Sequence, residues 1–135
     1  MATLKLEIVT PEAKIYSEDV DMVTLPGVEG EMGIFPLHIP LMTQVKAGEV
    51  TARKGGQDYF LAVGEGFVEV TGDRVAILTD MAIRAENIDE VKAEEARKRA
   101  EARLSEKLSD EEQVSVQAAL LHSLTQLNVK RRQRR

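Results

Sequence analysis

The chain contains no cysteine and no tryptophan, two histidines, and aromatic residues at only 4%. Without cysteine there is neither a disulfide framework nor a thiolate nucleophile, which accords with a reducing compartment. With so few aromatics, a core must be built from Val, Leu, Ile, Ala and Met. Proline is absent beyond Pro40 and no apolar run approaches the length that spans a bilayer. The N-terminal residues Met1 to Glu7 lack a basic region followed by an apolar stretch, so no secretion signal is expected. Any membrane association is therefore expected to come through a partner.

Within 135 residues, 43% hydrophobic and 30% charged, there is room for one domain or for a small domain with an appendage. The net charge of −5 is unevenly spread. Residues 1–87 hold 7 Lys+Arg against 14 Asp+Glu, whereas residues 88–135 hold 11 against 9. That asymmetry predicts two modules facing different partners.

The first module reads as strands. Residues Thr3 to Val9 alternate apolar and polar side chains, and Val20 to Leu25 do so less cleanly. Residues 48–54 and 57–63 flank Gly55-Gly56, a pair suited to the positive φ angles of a tight hairpin. A second hairpin turns at Thr71-Gly72-Asp73 between residues 66–70 and 74–79. Short strands with glycine-rich turns predict a β-sandwich or flattened barrel.

The second module reads as helices. Asn87 followed by Glu90 predicts a capping box, and no Gly or Pro interrupts the chain from there to Leu108. Ala93, Ala96, Ala100, Leu104 and Leu108 form a stripe at helical spacing. Ser109 and Glu112 predict a second capping box. Beyond it, Val114, Ala118, Leu121 and Leu124 are expected to line one face, widened by Val116, Leu120 and Leu127. The short connection favours an antiparallel hairpin with a thin core of its own, able to move.

The chemistry of an enzyme is hard to assemble from these residues. His38 lies in a stiff segment between Pro36 and Pro40, and His122 lies in the other module. Neither belongs to a metal-ligand spacing, and no nucleophile–base set accompanies them. The run Gly27-Val28-Glu29-Gly30-Glu31-Met32-Gly33 lacks the Gly-Lys-Ser/Thr ending of a phosphate loop, and its two glutamates would repel phosphate. A turn-rich connection between strands is expected there. The tail Lys130-Arg131-Arg132-Gln133-Arg134-Arg135 could meet nucleic acid, anionic lipid or an acidic protein surface, or simply be solvated. No aromatic platform accompanies it, so a small basic-tailed adaptor binding nucleic acid or another protein is the alternative reading.

Gly30-Glu31-Met32-Gly33-Ile34-Phe35-Pro36-Leu37-His38-Ile39-Pro40-Leu41 closely resembles the pattern Gly-Glu-x-Gly-Ile-x-Pro-x-His-x-Pro-Leu of ATP synthase epsilon subunits, with Leu37 where glycine is common. Val9-Thr10-Pro11-Glu12 resembles the end of that family's first strand. Gly66-Phe67-Val68-Glu69-Val70 resembles a later strand, with Glu65 replacing a glycine. Asp80 to Arg84 and Ile88-Asp89-Glu90 resemble its junction into the helices.

The resemblance implies an α+β chain: a sandwich of about ten strands over residues 1–87, then a regulatory two-helix hairpin with a basic tail over 88–135. It implies a non-catalytic rotor subunit of the central stalk of a bacterial proton-translocating ATP synthase, on the cytoplasmic side of the plasma membrane. The expected partners are the gamma subunit, the c-subunit ring and the alpha and beta subunits, with no nucleic acid and no metal. Glu31 and His38 match positions implied for the contact with gamma and the ring. Arg131, Arg132, Arg134 and Arg135 are implied to meet the catalytic subunits when the helices extend and oppose hydrolysis.

Some members bind ATP through a motif Ile/Leu-Asp-x-x-Arg-Ala, which reads here Ile88-Asp89-Glu90-Val91-Lys92-Ala93. Lys92 replaces the arginine, a point charge in place of a bidentate fork. Arg99 matches a binding arginine, but His122, Gln126 and Ile83 depart from the other positions. The same residues make an ordinary helix start. No cofactor is expected, with ATP at most a weak regulatory ligand.

Overall fold

The computed structural model describes residues 2–133. Ten strands come first: β1 (Leu4–Val9), β2 (Lys14–Val20), β3 (Met22–Gly27), β4 (Gly30–Ile34), β5 (Leu41–Val45), β6 (Gly48–Lys54), β7 (Gln57–Val63), β8 (Gly66–Thr71), β9 (Arg74–Thr79) and β10 (Ala82–Arg84). A 3-10 turn (Ala85–Asn87) leads into α1 (Glu90–Leu104) and α2 (Asp110–Gln133). The expected α+β architecture, a sandwich of ten strands followed by two helices, is present.

Alternation does the work that periodicity promised. In β1 the side chains of Leu4, Leu6 and Ile8 turn inward, and in β8 Val68 and Val70 do so while Phe67 and Glu69 face out. The strands hydrogen-bond in the order β10-β7-β6-β3-β5-β8-β9-β1-β2, with β4 added to β3. The β1–β9 pair is parallel, while β2 returns against β6 and β10 so that the sheet wraps around its core. That closure is stitched by Lys54 Nζ to Glu18 Oε1 at 2.8 Å and by the Arg84 guanidinium 4.9 Å above the Tyr16 ring. Tyr16 is the one buried aromatic among the described residues; Leu, Ile, Val and Ala52 fill the rest of the main core, each large aliphatic contributing about 1.5–3 kcal/mol.

Two turns are set by backbone geometry. Gly55 and Gly56 both have positive φ, as the Gly-Gly hairpin requires. At Gly66 a Cβ would lie 1.9 Å from the Leu78 carbonyl oxygen, so only glycine lets β8 approach β9 there.

Several local expectations are corrected. The glycine-rich run does turn between strands, but the turn is only Val28 and Glu29: β3 ends at Gly27, and Gly30 to Gly33 belong to β4, where Met32 pairs with Leu25. Residues 20–25 are not one strand, because the chain bends at Asp21 between β2 and β3. Asn87 does not cap α1. It lies in the 3-10 turn, and Ile88 tucks into the apolar layer beneath, which delays the helix until Asp89, whose carboxylate accepts the Lys92 amide at 3.1 Å. The helix also stops at Leu104, where Ser105 Oγ donates to the Ala102 carbonyl at 2.6 Å, so Leu108 belongs to the connection.

The second capping box is present in full. Ser109 Oγ accepts the Glu112 amide at 3.2 Å, and Glu112 Oε1 accepts from the Ser109 amide at 3.3 Å. The buried face of α2 is the expected one only in part: Val116 and Leu127 are buried as expected, and Ala118 and Leu120 are half-buried, but the central line is not. Val116, Ser123, Thr125, Leu127 and Val129 are buried, whereas Val114, Leu121 and Leu124 are 67%, 40% and 37% exposed. Helix α2 must satisfy α1 along one line and the sandwich along another, so the line with most leucine is not the one covered.

The apolar interior is divided. The main core runs from Leu4 to Ile77 and contains no helical residue. A second, smaller layer joins Ala62, Ala85, Ile88 and Val129, flanked by Phe60, Met81 and Ile83.

Candidate functional site

Three regions hold the residues singled out by sequence. The first is the segment after β4. Glu31 lies exposed on β4, opposite Pro26 of β3. His38 is half-buried in the following loop, its ring N–H at Nδ1 donating to the Ile39 carbonyl at 2.6 Å. No hydrogen bond or ion pair joins Glu31 to His38 among the described residues. Around His38 stand the exposed apolar side chains of Phe35, Leu37 and Ile39, and beyond them Met42. Leu37 has φ of 66° and is 82% exposed, and its amide donates to the Gly72 carbonyl at 2.7 Å, which ties the loop to the β8–β9 turn. A leucine held in a left-handed conformation at the tip of an apolar loop is costly in both backbone and solvation terms.

The second region is the start of α1. Ile88 and Ala93 are buried, and Asp89 is engaged as the helix cap. Lys92 is exposed, and Arg99 borders a groove between the helices formed with Ala96, Ala100 and Val116. The structure therefore commits Ile88, Asp89 and Ala93 to holding the hairpin and leaves Lys92 and Arg99 at the surface. His122 faces Asp80, Nε2 to Oδ2 at 3.2 Å, and Gln126 Nε2 lies 3.8 Å from the Met81 sulfur. Among the described residues no group of three His, Asp or Glu side chains could hold a metal.

The third region is the last turn of α2. Lys130 Nζ donates to the Ala85 carbonyl at 3.1 Å. Arg131 reaches Glu90 at 3.3 Å and Glu94 at 3.2 Å, and Arg132 reaches Glu49 Oε1 at 3.2 Å. Glu94 also meets Arg97, whose hydrogen bond holds its carboxyl below the usual range. Glu49 is pushed up by burial despite Arg132 and a hydrogen bond from Thr51, with Glu31 adding to the rise. Arg134 and Arg135 lie outside the described residues.

Sequence reasoning missed Glu49, Asp80, Glu90 and Glu94 as partners of the second helix. The spacing of Glu90 and Glu94, one helical turn apart, signals an acidic face that a cation could bridge. Glu49 carries no such signal, because its role depends on how the sheet presents β6 to α2.

The architecture is thus a wrapped sandwich of ten strands followed by two helices. Residues 3–85 match the model of the ATP synthase Delta/Epsilon chain β-sandwich domain, and residues 86–131 match that of the Delta/Epsilon chain long α-helix domain. The chain is 50% identical over 126 residues to the ATP synthase epsilon chain of Dehalococcoides mccartyi, covering 90% of each. It is 39% identical over 129 residues to that of Laribacter hongkongensis, covering 94% of this chain and 92% of the relative. In fold it is similar to a chain of the Euglena gracilis mitochondrial ATP synthase, solved as OSCP/F1/c-ring, with a TM-score of 0.75, 26% identity, and coverage of 93% and 79%. A chain of the Tetrahymena thermophila central stalk and c-ring, 12% identical with a TM-score of 0.54, shares the fold. The chain belongs to the ATP synthase delta/epsilon chain family, and the relatives it matches are epsilon chains.

Proposed function

We propose that this chain is a non-catalytic rotor subunit of the central stalk of a proton-translocating ATP synthase, coupling rotation to ATP synthesis and opposing ATP hydrolysis through its helices. The sandwich, residues 1–87, docks on the gamma subunit and the c-subunit ring through the loop carrying His38 and the exposed strand residue Glu31. The hairpin, residues 88–135, swings toward the alpha and beta subunits and presents its basic tail. The subunit sits peripherally on the cytoplasmic face of a bacterial plasma membrane, held by its partners; no described helix is long and apolar enough to cross a membrane.

The observation that carries this reading is the division of the apolar interior. The main core closes without the helices, and a layer of four buried residues seats α2. Opening that seat leaves the sandwich intact, which a docked part with a movable brake requires. Nucleotide plays at most a weak regulatory part, because Asp89 is spent on the cap and Lys92 offers no bidentate fork. Calorimetry on the full chain should show no saturable ATP binding well below a millimolar dissociation constant.

The test is ATP hydrolysis by a complex of alpha, beta and gamma subunits, supplied with either the full chain or residues 1–87. Both should bind and the full chain alone should slow hydrolysis. Failure of both to bind contradicts the docking assignment; binding without slowing contradicts the brake.

A further inference from the structure

We infer that the last turn of α2 is an ionic latch for the folded-down hairpin, and that its arginines can serve the latch or an outside acidic surface but not both at once. The inference rests on the reading above that the helices leave the sandwich.

Three consecutive cations tie α2 to three different elements. Lys130 binds the carbonyl of Ala85 in the 3-10 turn, Arg131 forks between Glu90 and Glu94 on α1, and Arg132 crosses to Glu49 on β6. Apolar contact between this end of α2 and the sandwich is narrow: Leu127 and Val129 are buried, but Val129 alone of α2 joins the seating layer, and Leu121 and Leu124 stay exposed. The polar ties therefore decide much of whether the end of α2 is docked.

Glu49 makes the latch asymmetric. Its side chain is only 14% exposed, and it lines a cleft with Leu124, Asn128 and Val129. A carboxylate in that position is poorly hydrated, and Arg132 is the cation that compensates it. Withdrawing α2 leaves Glu49 with its negative neighbour Glu31 and no guanidinium. Any acidic surface that captures Arg131 and Arg132 must first take them from Glu90, Glu94 and Glu49. Weakening the internal acids should then release the tail and strengthen its outside contacts, whereas weakening the arginines should loosen both.

The test uses the full chain, compared with Glu49→Gln/Glu94→Gln and with Arg131→Gln/Arg132→Gln. Amide hydrogen exchange over residues 121–133 should quicken about two- to fivefold in either variant, the range of partly exposed ion pairs. Raising salt should quicken the unmodified chain more than Glu49→Gln/Glu94→Gln, which keeps the Arg131–Glu90 pair, and leave Arg131→Gln/Arg132→Gln nearly unchanged. Exchange in β8 and β9 reports that the sandwich is intact. If the end of α2 exchanges equally fast in all three chains, the latch is overturned. In the alpha–beta–gamma complex, Glu49→Gln/Glu94→Gln should inhibit hydrolysis more strongly and Arg131→Gln/Arg132→Gln less strongly than the unmodified chain. Equal inhibition by both variants overturns the competition. If all three chains leave hydrolysis untouched while the exchange differences hold, the latch stands and the brake falls.

Discussion

The Oδ1 of Asp80 occupies the space that a Cβ on Gly64 would need, 1.9 Å from that position, while its Oδ2 meets His122 Nε2 at 3.2 Å. The missing side chain on β7's exit thus lets an acid from the β9–β10 turn face α2. Gly64→Ala should displace Asp80 and loosen the middle of α2 with little effect on the sandwich. Hydrogen exchange around His122 should quicken severalfold while β8 and β9 keep their protection.

Leu37 bears the strain at the tip of the His38 loop. Leu37→Gly should stabilise the isolated chain by about 0.5–1 kcal/mol in urea, since the left-handed conformation costs glycine little, part of that gain being offset by its freer unfolded chain. Leu37→Ala should give no such gain. If the loop is the docking surface, both variants should bind the gamma subunit or the c-ring more weakly for want of the exposed side chain.

The two faces of α2 should respond oppositely to truncation. Leu127 is 1% exposed, and Leu127→Ala should cost about 2–4 kcal/mol. Leu121→Ala and Leu124→Ala should each stay within about 0.5 kcal/mol in the isolated chain. Equal costs at Leu121 and Leu127 in chemical denaturation would contradict the burial described here.

Glu7 sets part of the acid response. A hydrogen bond from Lys14, 2.8 Å away, together with Arg74 at 2.8 Å, holds its carboxyl below the usual value against a smaller effect of burial. A carboxyl lowered in the folded state contributes stability above its ordinary value and loses it as pH falls through the folded value. The chain should therefore lose stability below about pH 4.5, and Glu7→Gln should flatten that acid limb. Glu49 works the other way, because burial raises it: its contribution is fullest at low pH and declines as pH rises through its folded value.

Much of the fold was legible where a local rule decided the outcome. Gly55-Gly56, the Thr71–Asp73 turn and the Ser109–Glu112 box each follow from backbone or capping chemistry within a few residues. Strands β2, β4, β5 and β10 were not read, because their alternation is interrupted by apolar side chains that stay half-buried or exposed, such as Ile15 and Met42, and is made good by neighbours far along the chain. Asn87 looked like a cap because its side chain suits one, and it lost to Asp89 once Ile88 had a layer to enter. The stripe of Val114, Leu121 and Leu124 had the right spacing for a buried face, but α2 turns it outward to seat Val129 and Leu127. Of the site, the sequence named the arginines of the tail but not the acids they meet, since pairing across 37 to 83 residues is a property of the packed chain.

The hairpin's freedom to leave the sandwich is the central claim, and the absence of native cysteine makes it directly testable. Asp80→Cys/His122→Cys places two thiols where side chains now stand 3.2 Å apart, ready for a short thiol-reactive cross-linker that staples α2 down. Added to the alpha–beta–gamma complex, the stapled chain should bind as well as the unstapled variant, which should slow ATP hydrolysis while the stapled form does not. Equal inhibition by the stapled and unstapled forms would show that the helices act without leaving the sandwich, and would contradict the account.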